Sequence, residues 1–324
     1  MINNKTKKQY VLDIILILLI LFFIVLLIVI PEKSILAFGQ GVLIWATKIL
    51  PALLPFFILT KLLSYTTFTS TIGKCLSPLT QKLYNVGGVS GYVYIMSILS
   101  GYPVGAKLTA DLYKSNKINS AQAQTISSFT STSGPLFIIG TVGIGFFNNQ
   151  KIGIIVLISH LISALLNGLI YRNKKENKVS TLTFSQSNNI LNESMTNSIQ
   201  SIMVVGGFIA IFYMILNILL SINAFDLPLI MLEKIGINYN IGTSIISGLI
   251  EVTTGALKLS ECGLNIKTSC TILSFLISFG GLSIHAQAYC FLKDFGMSYG
   301  KFLIQKVTHA ILSTLVTLII LLFI

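Results

Sequence analysis

The sequence predicts an all-α polytopic membrane protein built as two inverted repeats with broken or re-entrant helices and about seven to nine membrane segments. Three observations predict it: charge too sparse to clothe a water-facing surface, long apolar runs recurring along the chain, and helix breakers at matching places inside those runs. Of 324 residues, 10% are charged and 53% hydrophobic, with a mean hydropathy of +0.84. An ordinary soluble domain carries roughly 25% charged residues.

The first element lies in residues 1–35, where positions 14–30 hold no polar side chain. At about 1.5 Å of rise per residue, that run is just long enough to cross a hydrocarbon core. Lys5, Lys7 and Lys8 before it could serve a cleavable signal peptide. The run is long for that role and ends in Pro31, Glu32 and Lys33 rather than at small residues, which favours a retained anchor. Further apolar runs fall near 36–64, 89–106, 124–147 and 152–171, then 199–222, 240–258, 268–292 and 302–324. Between the two sets, residues 172–198 are rich in Asn, Ser, Thr and Lys, the composition of a solvated cytoplasmic linker. The organisation is therefore an anchor (1–35), a first repeat (36–171), a linker (172–198) and a second repeat (199–324).

The formal charge of +12 does not point to nucleic acid, because the lysines lie between apolar runs instead of forming one basic face. They set orientation: Lys5, Lys7 and Lys8, and Arg172, Lys174, Lys175 and Lys178, belong in the cytoplasm, as do Lys107, Lys114, Lys117, Lys293 and Lys301. Lys258 and Lys267 then fall outside, against the same rule. Cys75, Cys262, Cys270 and Cys290 are scattered, without metal-ligand spacing, and are expected to be free thiols. No cofactor or metal is implied. No phosphate loop, HExxH or GxSxG motif is present, so ATP hydrolysis and intramembrane hydrolysis are not expected.

The duplication is legible in motifs. Ser100-Gly101 and Ser247-Gly248 each open a glycine-rich stretch, with 147 residues between Gly101 and Gly248, and Ser128-Phe129 and Ser278-Phe279 lead into the next polar segments 150 residues apart. If the broken segment of each repeat re-enters without crossing, a repeat has three crossings and its copy is inverted. Breakers stand at Gly101-Tyr102-Pro103-Val104-Gly105, Ser133-Gly134-Pro135 and Gly280-Gly281. Non-helical backbone at membrane depth is tolerated where it lines a cavity, and paired discontinuous helices mark a transporter's midplane site. A single such motif could equally be a helix-packing glycine pair. The matched set argues for a site.

The expected substrate-binding residues are therefore Ser100, Gly101, Tyr102, Pro103, Lys107, Thr132, Ser133, Gly134, Gly281, Ser283, His285 and Gln287. Pro135 suits the first turn of a new half-helix, whose amides and dipole attract anions, and this makes a carboxylate the expected ligand. Lys107 has two readings, a cation facing the cavity or a lysine at the cytoplasmic edge. Glu251 and Thr254 are the candidates for ion coupling. His285 could carry a proton or bond one helix to another, while His160 and His309 read as structural.

Ser100-Gly101-Tyr102-Pro103-Val104-Gly105-Ala106-Lys107, Thr132-Ser133-Gly134-Pro135-Leu136-Phe137-Ile138-Ile139-Gly140 and Phe279-Gly280-Gly281-Leu282-Ser283-Ile284-His285-Ala286-Gln287 together resemble the YlbJ (SpoVV) family of sporulation integral membrane proteins. Pro51-Ala52-Leu53-Leu54-Pro55-Phe56 is similar to that family's second span. The resemblance extends to the Gate, or nucleoside-recognition, group and to the core repeat of concentrative nucleoside transporters. It implies movement of dipicolinate, an aromatic dicarboxylate, from mother cell toward forespore, with residence in the outer forespore membrane. The expected partners are a small anion and the bilayer, with a homo-oligomer open. Alternatives are a non-transporting membrane scaffold and a carrier of nucleoside-type solutes.

Overall fold

The computed structural model describes residues 7–173 and 189–324, and every regular element within them is helical. Lys5, Lys174, Lys175 and Lys178 lie outside the described residues. By length and apolarity, five helical stretches can cross a membrane: Pro31–Leu63, Gln150–Ile170, Ile190–Ser221, Ile266–Phe295 and Tyr299–Ile320. Shorter apolar helices occur at Asp13–Val29, Ser90–Ser100 and Leu136–Phe146. The chain is an all-α, multi-pass membrane protein.

Helix α1 (Lys7–Val29) is followed directly by α2 (Pro31–Ile44), a π-helical turn at Trp45–Ile49, and α3 (Leu50–Ser64). Pro31 opens this second stretch rather than closing the first, since the N–H it lacks has no partner in a helix's first turn. The run thus begins five residues before the apolar pattern at 36. The π turn lies where Pro51 cannot donate to the carbonyl of Thr47, a local cause for widening the helix.

Helix α4 (Phe68–Tyr84) was not expected, because its Thr, Ser, Lys and Gln residues break up the apolar run. It packs along α5 (Val89–Ser100). Helix α5 turns back at residues 101–103 into α6 (Val104–Lys114), and α7 (Ser120–Thr130) begins at a capping box of Asn119 and Gln122. Residues 131–134 are unwound, after which a π-helical segment, Leu136–Phe146, leads to α8 (Gln150–Ile170).

The second half opens with α9 (Ile190–Ser221). Its first turns occupy 190–198, a stretch the composition assigned to the linker. Ser194 and Ser198 are buried there and face protein, and exposed Glu193 accepts from the Tyr65 hydroxyl through Oε2 at 2.8 Å. Helix α10 (Asp226–Lys234) leads to α11 (Tyr239–Ile250), which breaks at Glu251 and folds back along α12 (Val252–Ser260). Helix α13 (Ile266–Phe279) is interrupted at Gly280 before α14 (Gly281–Leu292). A 3₁₀ turn at Lys293–Phe295 and α15 (Tyr299–Ile320) complete the chain.

One hydrophobic core joins the halves, with Ile138, Val142 and Val156 of the first packed among Leu273, Leu276 and Ile277 of the second. A second cluster contains Tyr84 stacked on Phe129 at 4.3 Å, together with Phe295 and Phe302. At this end of the molecule Lys114 pairs with Asp294 at 2.8 Å and Ser120 donates to the Phe295 carbonyl at 2.6 Å. Those bonds place the α6–α7 turn beside the α14–α15 turn. Lys114, Lys293 and Lys301 thus lie toward one end, as the charge pattern anticipates.

Candidate functional site

Each half contributes a hairpin tip and a broken helix, and each tip rests on its own half's break. In the first half α5 ends at Gly101, whose φ of 71° and ψ of −164° belong to a region that only glycine occupies freely. A Cβ there would stand 2.8 Å from the Gly134 nitrogen. In the second half a Cβ on Gly281 would stand 2.8 Å from the Gly248 carbonyl and 3.2 Å from that of Ile250. The interval of 147 residues between Gly101 and Gly248 also separates Gly134 from Gly281. The duplicated glycines are therefore the contacts that let backbone touch backbone at both tips.

Residues at or beside the four breaks line one cavity of about 50 Å³, room for a few water molecules. Ser100, Gly101 and Tyr102 line it from the first tip, and Ser133 and Gly134 from the unwound segment. Glu251 and Thr253 line it from the second tip, and Ser283 and Gln287 from the start of α14. The remaining wall is apolar, including Ile49, Phe137, Val205 and Ile284. Such a pocket, mostly apolar with a few converging polar groups, has the make-up of a small-molecule site.

Glu251 is buried and serves its own helix. Its Oε1 accepts from the Thr253 amide at 3.1 Å, and its Oε2 from the amide and hydroxyl of Thr254, both at 2.7 Å. The carboxylate thereby occupies the anion position at the start of α12. Thr254 faces Glu251 rather than lining the cavity.

Other expected residues lie behind the lining. Pro103 precedes α6, Thr132 bonds Ser97 Oγ at 3.2 Å, and Gly281 is committed to its backbone contact. His285 is held between the Phe279 carbonyl, to which Nε2 donates at 2.8 Å, and the Tyr299 hydroxyl at 3.2 Å. Lys107 lines a second cavity with Lys61, Asp111, Asn197 and Ser198. Ser100 borders both cavities, and its hydroxyl donates to Thr60 Oγ1 at 2.9 Å between them.

Three further side chains join the site from behind: His160 and His309, which the sequence reads as structural, and Lys306, which no motif singles out. His160 on α8 accepts from the Ser133 amide at 2.9 Å through Nε2, so its Nδ1 carries the proton and donates to Ser278 Oγ at 2.7 Å. One ring thus bonds a residue at each helix break. His309 stacks on His160 at 4.8 Å and donates to its carbonyl at 3.1 Å. Lys306 on α15 is 1% exposed. Its Nζ donates to the Tyr102 hydroxyl at 2.6 Å and to the Ser131 carbonyl at 3.1 Å, and lies 4.7 Å from the Tyr102 ring centre. A lysine inside an apolar span was the available signal for it.

Helical hairpins and broken helices around a common cavity, on a chain with several membrane-length apolar helices, define an all-α polytopic membrane protein. Residues 46–150 match the Gate family, described as nucleoside recognition. The chain is 30% identical over 309 residues to the sporulation integral membrane protein YlbJ of Bacillus subtilis (strain 168), covering 87% of this chain and 76% of the relative. It belongs to the YlbJ family of sporulation integral membrane proteins. No solved structure matches it.

Proposed function

We propose that the protein is a permease for a small organic anion, acting in sporulation, with dipicolinate as its solute and the outer forespore membrane as its place of work. The observation that carries this reading is the convergence of all four backbone breaks on one cavity. Lipid cannot satisfy broken backbone, whereas a wet solute pathway can use it. With the start of α12 filled by Glu251, the half-helix starts after Pro103 and Gly134 are left to meet an anion, alongside the Ser133 hydroxyl. Lys61 and Lys107 flank the adjoining cavity and favour negative charge on the approach, with Asp111 opposing them.

A 50 Å³ cavity is far below the ~300 Å³ or more of a ligand pocket, so the cavity must widen to load solute. The test is uptake of labelled dipicolinate into proteoliposomes, with unlabelled dipicolinate and uridine as competitors. Saturable uptake blocked by dipicolinate alone supports the proposal. Inhibition by uridine instead assigns a nucleoside-type solute, and no uptake under any ion gradient leaves a membrane scaffold.

A further inference from the structure

Lys306 stands where a transporter of this build would hold a metal cation. In discontinuous membrane helices, unwound carbonyls commonly coordinate the coupling ion. Here the Ser131 carbonyl, the first of the unwound residues 131–134, accepts from Lys306 Nζ instead, at 3.1 Å. The side chain is not snorkelling toward an interface, because its Nζ is bonded to Tyr102 and Ser131 deep in the protein. Among the described residues it has no carboxylate partner within ion-pair distance, and Glu251 is committed to α12. No group of three or more metal-ligating side chains occurs among the described residues.

We infer that Lys306 is the coupling group of this protein, a tethered cation loaded and unloaded by protons in place of a bound sodium ion. The inference rests on the transport reading above. A tethered ammonium cannot leave with the solute, but its proton can. The N–H bond facing Tyr102 breaks and nitrogen keeps the electron pair. The Tyr102 hydroxyl, which donates to the Ile277 carbonyl at 3.5 Å, takes that proton and turns its own from that long bond to water in the cavity that Tyr102 lines, leaving a neutral amine and one hydronium. Reloading reverses each transfer. In the charged state Lys306 ties the first tip, through Tyr102, and the first break, through Ser131, to α15, and the neutral amine loses the charge that strengthens both bonds. Proton occupancy thereby sets how firmly the first half closes the cavity.

Other titratable groups face Lys306 from the surrounding elements: Tyr102 itself, His160 on α8, His285 on α14 and His309 on α15. His160 is fixed as a neutral ring by accepting from the Ser133 amide. His285 and His309 each commit Nε2–H to a carbonyl. Lys306 is the one among them that bonds a hairpin tip and an unwound carbonyl together.

The experiment uses the full chain in proteoliposomes with the membrane potential clamped and labelled dipicolinate as the solute. At one proton per solute, a gradient of one pH unit drives roughly tenfold accumulation, the factor that about 1.4 kcal/mol sets. The expected result is accumulation of that order in the wild type without sodium, and its loss in Lys306→Gln, whose remaining counterflow has a flat pH profile. Sodium-dependent accumulation in the wild type, or wild-type pH dependence in Lys306→Gln, overturns the inference. A pH dye trapped in wild-type vesicles gives a measurement independent of the variant's folding: net solute uptake without proton movement also overturns it. Absence of wild-type counterflow is a different outcome, because it removes the transport reading itself.

Discussion

Gly101 shows how much of the site depends on one missing methyl group. Its dihedrals suit glycine alone, and a Cβ would press on the Gly134 nitrogen at 2.8 Å. Gly101→Ala is therefore expected to destabilise the protein by about 1–3 kcal/mol, seen as a lower thermal midpoint in detergent, while Gly39→Ala, with open space around it, leaves the midpoint unchanged. Equal midpoints for the two variants would contradict this account of the tip. Glu251→Ala removes the cap of α12 at a cost of about 0.5–2 kcal/mol, measured in the same assay. A wild-type midpoint in that variant would show that the carboxylate does not hold the helix start. At this scale the sequence was partly legible. Breakers and small polar residues identified the cavity lining, since few other roles explain Ser133-Gly134-Pro135 within an apolar run. Lys107 and Lys306 were harder to place, because a lysine's long stem lets its charge act far from its own backbone, and hydropathy averages conceal a single cation.

Among elements, α8 has a role that its apolar sequence disguises. His160 accepts from the Ser133 amide beside one break and donates to Ser278 just before the other, so α8 fixes the spacing of two interrupted helices. Replacing His160 by Leu leaves the buried Ser133 amide without an acceptor and Ser278 Oγ without its donor, each at about 1–3 kcal/mol. The expected outcome is a lower thermal midpoint than in His160→Gln, whose amide can still accept from Ser133. A Leu variant as stable as the Gln variant would show that the ring only fills space. The long apolar helices were readable from hydropathy because burial in lipid and burial in protein select the same residues. Helix α4 and the first turns of α9 were not, because exposed Thr71, Lys74, Glu193 and Thr196 alternate with buried Thr80, Ser194 and Ser198, and composition alone reads the mixture as solvent. Tertiary context, absent from a local window, decides such segments.

Across the whole molecule, the paired 147-residue intervals argue for two copies of one unit meeting tip to tip. The Lys114–Asp294 pair and the Ser120–Phe295 bond gather the α6–α7 and α14–α15 turns at one end, with Lys293 nearby, and an excess of basic residues marks a cytoplasmic end. If the copies are inverted, the corresponding turn of the second hairpin, between α12 and α13, must open on the other side of the membrane. Ser115 and Glu261 are exposed in these two turns, which makes Ser115→Cys and Glu261→Cys suitable probes once the native cysteines are replaced by serine. In intact cells a membrane-impermeant maleimide is expected to label Glu261→Cys directly and Ser115→Cys only after permeabilisation. Labelling of both from one side would make the copies parallel, and their tips could then not approach the cavity from opposite faces. Opposed approach matters because one half can then loosen toward one compartment while the other stays closed. Lys306 gives the two halves different handles, since it bonds the tip and break of the first half and neither break of the second.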